Sequence, residues 1–398
     1  MSPGPIAIGK EALPERADTV IIGGGIMGLA TAYHLAKLSA EAKRNERIVV
    51  LERSYLCGGA SGRNGGGVRA QWSSATNIEL MQRSLARCAD FATEMRMNVW
   101  FRRGGYLFLA RNEARAKQLE ASAELQRAHG LRTQILSPAE AKEVVPQLDV
   151  SNMVCASFNP DDAVVFPWPF VWGYARAAKE HGCGLFTHTE VKELEVQGNR
   201  ISAVVTDRGR ILTERVLVCA GAWSPEITKM VGIELPSKPH RHEICSTEPL
   251  KPFLKPLVGD LEDGLYFSQS ARGEIVGGIG NADVPHGIDQ RSSAKFLGLY
   301  ARALSRAMPQ LGAIKILRQW SGCYDLTPDG NPLCGAVDEV EGLHLMSGFM
   351  GHGFMMAPIM GELFARHLLF GEEQALFDRW ALRRYKEGRL LTESMILG

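Results

Sequence analysis

Three glycines and one acid carry the first readable chemistry in this chain of 398 residues. Gly23, Gly25 and Gly28 stand at G-x-G-x-x-G spacing in DTVIIGGGIMGLATAYHL. They follow the β-branched run Thr19–Ile22 and precede a stretch in which Leu29, Ala32, Tyr33 and Leu35 recur at helical spacing. Strand, glycine turn and helix in that order make a pyrophosphate cradle. The first glycine permits the tight turn, the second lets backbone approach the phosphates, and the third lets helix and strand pack closely. The phosphates then face free N–H groups at a helix N-terminus. A second strand-like run, RIVVLE, ends at Glu52, 24 residues beyond Gly28, where a carboxylate can hold ribose hydroxyls. A glycine turn that only packs is the plainer alternative.

The next segment bears on which dinucleotide is bound. RSYLCGGASGRNGGGVRAQW carries Gly58, Gly59, Gly62, Gly65, Gly66 and Gly67. Backbone this free of side chains can pass close to a large planar cofactor. It suits a flavin better than a simple nicotinamide fold, in which a crossover helix should follow. Metal chemistry is not indicated. The eight cysteines, at 57, 88, 155, 183, 219, 245, 323 and 334, are scattered and form no C-x-x-C pair. Buried free thiols are the expected state.

These motifs, together with VLVCAGAW (residues 216–223), WSGCYDLTPDGNPLCG and GLHLMSGFMGHGFMMAPIMGELFARHL, resemble the D-amino-acid oxidase/sarcosine oxidase superfamily of FAD-dependent amine oxidoreductases. The likeness is greatest to β-subunits of heteromeric sarcosine oxidases, dye-linked proline or hydroxyproline dehydrogenases and opine oxidases. It runs from about residue 18 to about residue 384. The implied fold is α/β plus α+β: a Rossmann-like FAD-binding domain (17–73, 150–235 and 320–398) interleaved with an antiparallel-sheet substrate domain (74–149 and 236–319).

The resemblance also implies roles for particular residues. Arg53, Ser61, Gly62, Arg63, Asn64, Gly65 and Gly66 fall where the family surrounds FAD. Val191 falls where backbone pairs with adenine, and Ala220, Gly221 and Trp223 where the chain passes the ribityl arm. Gly351, His352, Gly353, Phe354 and Met355 form the loop over the flavin ring, with His352 supporting that loop. Backbone N–H groups there can stabilise charge on the reduced ring. Three residues match catalytic positions. Arg69 would meet a substrate carboxylate, for which arginine offers a two-pronged fit. His242 would accept or orient the proton of the substrate amine, and Tyr266 is the active-site tyrosine of the proline-dehydrogenase branch. Plainer readings stay open for each: an arginine on phosphate or a nearby acid, a strand histidine, and an aromatic sheet residue. His240, two residues before His242, competes with it for the same role.

The implied reaction is oxidation of a secondary amine or amino acid of proline, hydroxyproline, sarcosine or opine type, by hydride transfer to flavin N5. Three departures refine it. Gly322 stands where some relatives attach FAD through cysteine, so non-covalent FAD is expected. Met355 stands where monomeric sarcosine oxidases hold the carboxylate with lysine. Ile275 and Val276 replace an oxygen-activating lysine, which favours a dehydrogenase over a peroxide-forming oxidase. Electrons would pass to a partner: an α-subunit, with a small iron–sulfur subunit in some relatives and FMN at the α–β junction in others. No histidine stands near positions 166 and 167, so such an FMN would be non-covalent. A peroxide-forming amine oxidase and a non-catalytic assembly flavoprotein are the alternatives.

The elements that must position these residues are partly legible. The stretches 77–102, 113–129 and 292–308 read as helices, and Ser137-Pro-Ala-Glu140 as a helix start. HEICSTEPL, GLYFSQS and EIVGGIG alternate as antiparallel strands. Asp329-Gly-Asn-Pro332 is a turn, Leu343–Ser347 a strand, and a helix follows from 358 to 370. Hydrophobic residues at 45% and charged residues at 22% are ordinary for a soluble globular protein, and the length suggests two or three lobes of ~150 residues. The net charge of +1 without a basic block gives no reason to expect nucleic-acid binding. The first 18 residues read as a loose arm without a signal-peptide core, and the apolar run 216–220 is too short to span a bilayer. A cytoplasmic hetero-oligomer is expected, with peripheral attachment at the inner membrane only through partners.

Overall fold

The computed structural model describes residues 11–397. Residues 1–10 of the expected arm lie outside the described residues. The later part of that arm is tied down: Arg16 bridges to Leu212, and Ala17 N–H donates to the Leu212 carbonyl at 2.9 Å.

The first sheet has six strands in the order Leu333–Ala336, Leu343–Ser347, Val216–Val218, Thr19–Ile22, Ile48–Leu51 and Gly184–Phe186. All neighbours are parallel except the edge strand Leu333–Ala336. Register pairs Val20 with both Val216 and Val49. Every residue of Thr19–Ile22, Ile48–Leu51 and Val216–Val218 is buried, as a parallel sheet covered on both faces requires. Helices Ile26–Glu41 and Gly353–Phe370 pack against each other on this sheet. Strand order reverses at Thr19–Ile22, so the loops after it and after Val216–Val218 diverge and leave a crevice at the carboxyl ends.

The second sheet has eight strands in the order Ile316–Leu326, Lys238–Pro249, Glu274–Gly278, Tyr266–Gln269, Leu257–Asp260, Tyr106–Ala110, Cys155–Asn159 and Gln134–Leu136. It is antiparallel apart from the parallel pair Leu257–Asp260 with Tyr106–Ala110. Helix Ala294–Ala307 buries Phe296, Tyr300 and Leu304 against it. Two of these strands, Cys155–Asn159 and Ile316–Leu326, come largely from stretches that the sequence assigns to the cofactor-binding segments. Their ladder partners place them in the second sheet. A three-stranded meander, Val191–Gln197, Arg200–Thr206 and Gly209–Leu212, completes the cofactor side.

Two helix boundaries differ from the sequence reading. The helix expected over 77–102 is Ala75–Glu94. The chain leaves it through Arg96 and Trp100, both at positive φ, without the glycine or proline that would have marked the exit. The helix expected from 358 starts at Gly353, so Pro358 lies inside it. Proline favours a first turn, which drew the boundary too late. The helix at 137–140 starts as read: Ser137 Oγ accepts from Glu140 N–H at 3.3 Å and Glu140 Oε2 accepts from Ser137 N–H at 2.7 Å, a complete capping box. Among the described residues no helix is long and apolar enough to cross a membrane.

The turn at 329–332 is held by a buried ion pair. Arg384 Nε and Nη2 donate to Asp329 Oδ2 at 2.8 Å and Oδ1 at 2.9 Å, with both side chains removed from solvent. Burial alone would push the Asp329 carboxyl up, but Arg384 and Tyr385 hold it below the usual carboxylate range. Removing one partner strands a buried charge. Arg384→Met is expected to lower stability by about 3–5 kcal/mol in urea unfolding, whereas replacing both residues by apolar ones should cost much less. Equal losses in the single and double variants would contradict this.

Candidate active site

The carboxyl ends of the first sheet and the face of the second line one cavity of about 500 Å³. On the cofactor side, Gly23 has φ +117°, and a Cβ there would lie 2.4 Å from the Cys219 carbonyl oxygen. A Cβ on Gly28 would lie 2.2 Å from Gly23 O, so only glycine lets the helix sit this close to its strand. Gly28 does not itself line the cavity; Gly23 and Gly25 do. Glu52 lies just past its strand, with Oε2 accepting from Gly24 N–H at 2.9 Å and Oε1 from Ser54 N–H at 2.8 Å. Arg53 lies over the Trp223 ring at 4.5 Å.

The glycine-rich segment folds on itself. Ser61 Oγ accepts from Ile26 N–H at 3.0 Å, and Asn64 closes a turn between Ser61 O (2.7 Å) and Gly66 N–H (2.9 Å). Arg63 donates to Gly58 O at 3.1 Å and Ser321 O at 3.0 Å, which ties the segment to the second sheet. Gly62 packs on Trp168 and Cys57 and lies off the cavity. Gly65, Gly66, Val191, Ala220, Gly221, Gly351, Gly353, Phe354 and Met355 all line it. The lining suits a long ligand with an anionic middle: glycine backbone at a helix start, the Ser61 hydroxyl, the cation Arg63, and an acid at the ribose position.

The substrate side gathers the three candidate catalytic residues. His242 and Tyr266 come from strands that flank Glu274–Gly278, and both approach Gly278. His242 Nε2 is 3.1 Å from Tyr266 Oη, and its ring stacks at 4.7 Å on Tyr324. Burial, helped by His240, pushes the His242 imidazole down to about 3. Burial raises the Tyr266 and Tyr324 phenols above the ordinary range. His240 is off the cavity, its ring against His286 at 5.6 Å.

Arg69 is 1% exposed. Its guanidinium donates to the carbonyls of Gln71 and Met395, lies 4.1 Å from the Trp72 ring centroid, and places Nη2 3.2 Å from His352 Nε2. Burial lowers its proton affinity, opposed by Tyr106, Glu393 and Asp162. His352 is neutral for the same reason: burial, then the charge of Arg69, hold it well below its usual value. Asp162, raised to about 7 by burial against hydrogen bonds from Ala70 N–H (2.7 Å) and Gln71 Nε2 (3.0 Å), supports the Arg69 segment from behind.

Sequence reasoning missed Tyr106, Tyr324, Asp162 and the segment around Glu393 and Met395. Tyr324 sits in the quoted YDLTPDG stretch, so a signal existed for it. Tyr106 lies in an apolar strand with no motif to mark it.

Fold and cavity together define a flavin-type dinucleotide oxidoreductase. The family described as "FAD dependent oxidoreductase" (DAO) matches residues 18–367, and the chain belongs to it. It is similar to sarcosine oxidase subunit β of Rhodobacter capsulatus, 28% identical over 96% of this chain and 92% of the relative. Among solved structures it is similar to L-proline dehydrogenase from P. horikoshii, at 34% identity and TM-score 0.89, covering 95% of this chain and all of the other. It is also similar to glycine oxidase from Geobacillus kaustophilus, at 26% identity and TM-score 0.83, covering 93% and 99%. The cofactor of the family is FAD, and the protein is an FAD-dependent oxidoreductase.

With His242 neutral throughout the working range, flavin reduction between about pH 6 and 10 should follow deprotonation of the substrate amine, with no inflection near ~6.5. His242→Asn should slow reduction by roughly tenfold or more without moving that profile. An inflection near ~6.5 in the parent protein that the variant loses would contradict this.

Proposed function

We propose that this protein is the catalytic FAD subunit of a dehydrogenase for a secondary amino acid of proline, hydroxyproline, sarcosine or opine type. The observation that carries this reading is the convergence of Arg69, His242 and Tyr266 on the same cavity as the glycine cradle. Gly23, Gly25, Ser61 and Arg63 would hold the pyrophosphate, Glu52 and Val191 the adenosine, and residues 351–355 the flavin ring, without a covalent link. FAD supplies the two-electron acceptor for oxidation of the C–N bond. Arg69 would bind the substrate carboxylate. Neutral His242, with Tyr266 as its hydrogen-bond partner, would orient the amine in its uncharged form, and the phenols of Tyr266 and Tyr324 would wall the substrate from water.

Two features favour a dehydrogenase that works with partners. Among the described residues no lysine lines the cavity, and Ile275 is fully buried in an apolar core, so no ammonium is placed to promote electron transfer to oxygen. Three aromatic side chains are exposed around the start of helix Pro167–Glu180: Trp100 packs edge-on against Phe166 at 5.7 Å, and Trp172 packs against the partly buried Trp168 at 5.7 Å. Grouped exposed aromatics mark interaction surfaces. This supports an α-subunit on that face, with a small iron–sulfur subunit or non-covalent FMN completing the electron path. Such an assembly would be cytoplasmic, or peripheral at the inner membrane through its partners.

The test is anaerobic reduction of the purified protein, with any co-purifying chains, by L- and D-proline, hydroxyproline, sarcosine, octopine and nopaline, followed by air. Bleaching by one of these with slow reoxidation is expected. Rapid reoxidation with peroxide would make the protein an oxidase. Absence of bleaching by every amine would favour a non-catalytic assembly flavoprotein.

A further inference from the structure

Residues 390–397 form an irregular strap outside both sheets. It leaves the buried ion pair where Leu391 N–H donates to Asp329 Oδ2 at 3.2 Å. It crosses the start of helix Ala75–Glu94 and ends on the substrate side of the cavity, where Leu397 lines the wall with Leu257.

Midway, the 6% exposed Glu393 accepts five hydrogen bonds: Oε1 from Ser73 N–H (2.9 Å), the Ser73 hydroxyl and Met395 N–H (3.0 Å), and Oε2 from Ser74 Oγ (3.1 Å) and Asn77 Nδ2 (2.9 Å). A carboxylate has about four lone-pair sites, so this one is saturated by the protein and is an anchor rather than an acid or base. Its position at the helix start adds a favourable interaction with the helix dipole. The bond from Met395 N–H couples the anchor to the next turn of chain. The Met395 side chain is fully buried, and its carbonyl accepts from Arg69 Nη2.

The consequence falls on Arg69. A guanidinium has five N–H donors in a fixed plane. Gln71 O holds Nη1, while Met395 O and His352 hold Nη2, so the plane is set from both ends. The strap therefore decides which donors remain for a ligand, and Leu397 limits the space beside them. We propose that Glu393 is a positioning residue: by anchoring residues 390–397 it fixes the aim of Arg69, and the strap forms a specificity-determining wall for amines that carry a carboxylate. This rests on the reading of Arg69 as the partner of the substrate carboxylate.

The test uses the FAD-loaded protein with its partners and compares a bleaching amino acid with its counterpart lacking the carboxylate, L-proline against pyrrolidine. Anaerobic stopped-flow gives the half-saturating concentration of each. Glu393→Ala should raise the proline-to-pyrrolidine ratio of these concentrations by roughly tenfold or more, and Glu393→Gln, which keeps one acceptor oxygen, by an intermediate factor. If Glu393→Ala fails to retain flavin, Glu393→Gln carries the comparison alone. A general packing defect would shift both amines alike, and that result, or no shift at all, overturns the proposal. Arg69→Gln is run beside them. If it raises the ratio while the Glu393 variants do not, only the strap inference falls. If it leaves the ratio intact, the carboxylate reading of Arg69 falls and takes the inference with it.

Discussion

A charged guanidinium at 1% exposure is the constraint on which the substrate side depends. An isolated buried cation would lose its proton or unfold its surroundings. Arg69 keeps its charge because its own segment and two remote stretches of chain turn acceptors towards it: the carbonyl of Gln71, the carbonyl of Met395 with the carboxyl of Glu393 behind it, and the carboxyl of Asp162. Each stretch is itself held by hydrogen bonds that serve no other visible purpose. Asp162 gathers Ala70, Gln71 and Asn159, and Glu393 gathers Ser73, Ser74 and Asn77. Trp72 and Phe108 cover the remaining faces of the cation. The site is thus a polar knot inside an apolar shell, and its parts stand or fall together.

The cofactor side obeys a different constraint, close approach. Gly23 and Gly28 leave no room for a Cβ, and the helix start, the segment 58–67 and the end of Val216–Val218 converge because nothing bulky separates them. Arg63 spans the two halves by donating to Ser321 in the second sheet. Cofactor loop and substrate wall are therefore mechanically continuous.

What the sequence reveals follows the range of the interactions. The glycine fingerprint, the strand Leu343–Ser347 and the capping box at Ser137 and Glu140 are local, and each can be read within a few residues. The exit of helix Ala75–Glu94 has no glycine or proline to mark it, and Pro358 inside helix Gly353–Phe370 imitates a first turn, so both boundaries escape a local reading. Arg69, His242 and Tyr266 could be nominated from their surrounding motifs, but their meeting could not be derived from spacing, since His242 and Tyr266 touch across Gly278. Glu393 was invisible. Its partners at 73, 74 and 77 lie more than 300 positions away, and nothing in LLTESMILG marks an anchor.

The interleaving of the two sheets has a consequence for synthesis. The first sheet begins at Thr19 but lacks its inner strand Leu343–Ser347 until late, and Lys238–Pro249 waits for Ile316–Leu326. Neither sheet is complete until these later strands have been made. Long-range pairing of this kind is slow, and half-made sheets attract one another. The topology that lets both halves share one cavity thus keeps both sheets incomplete until residues 316–347 have been made.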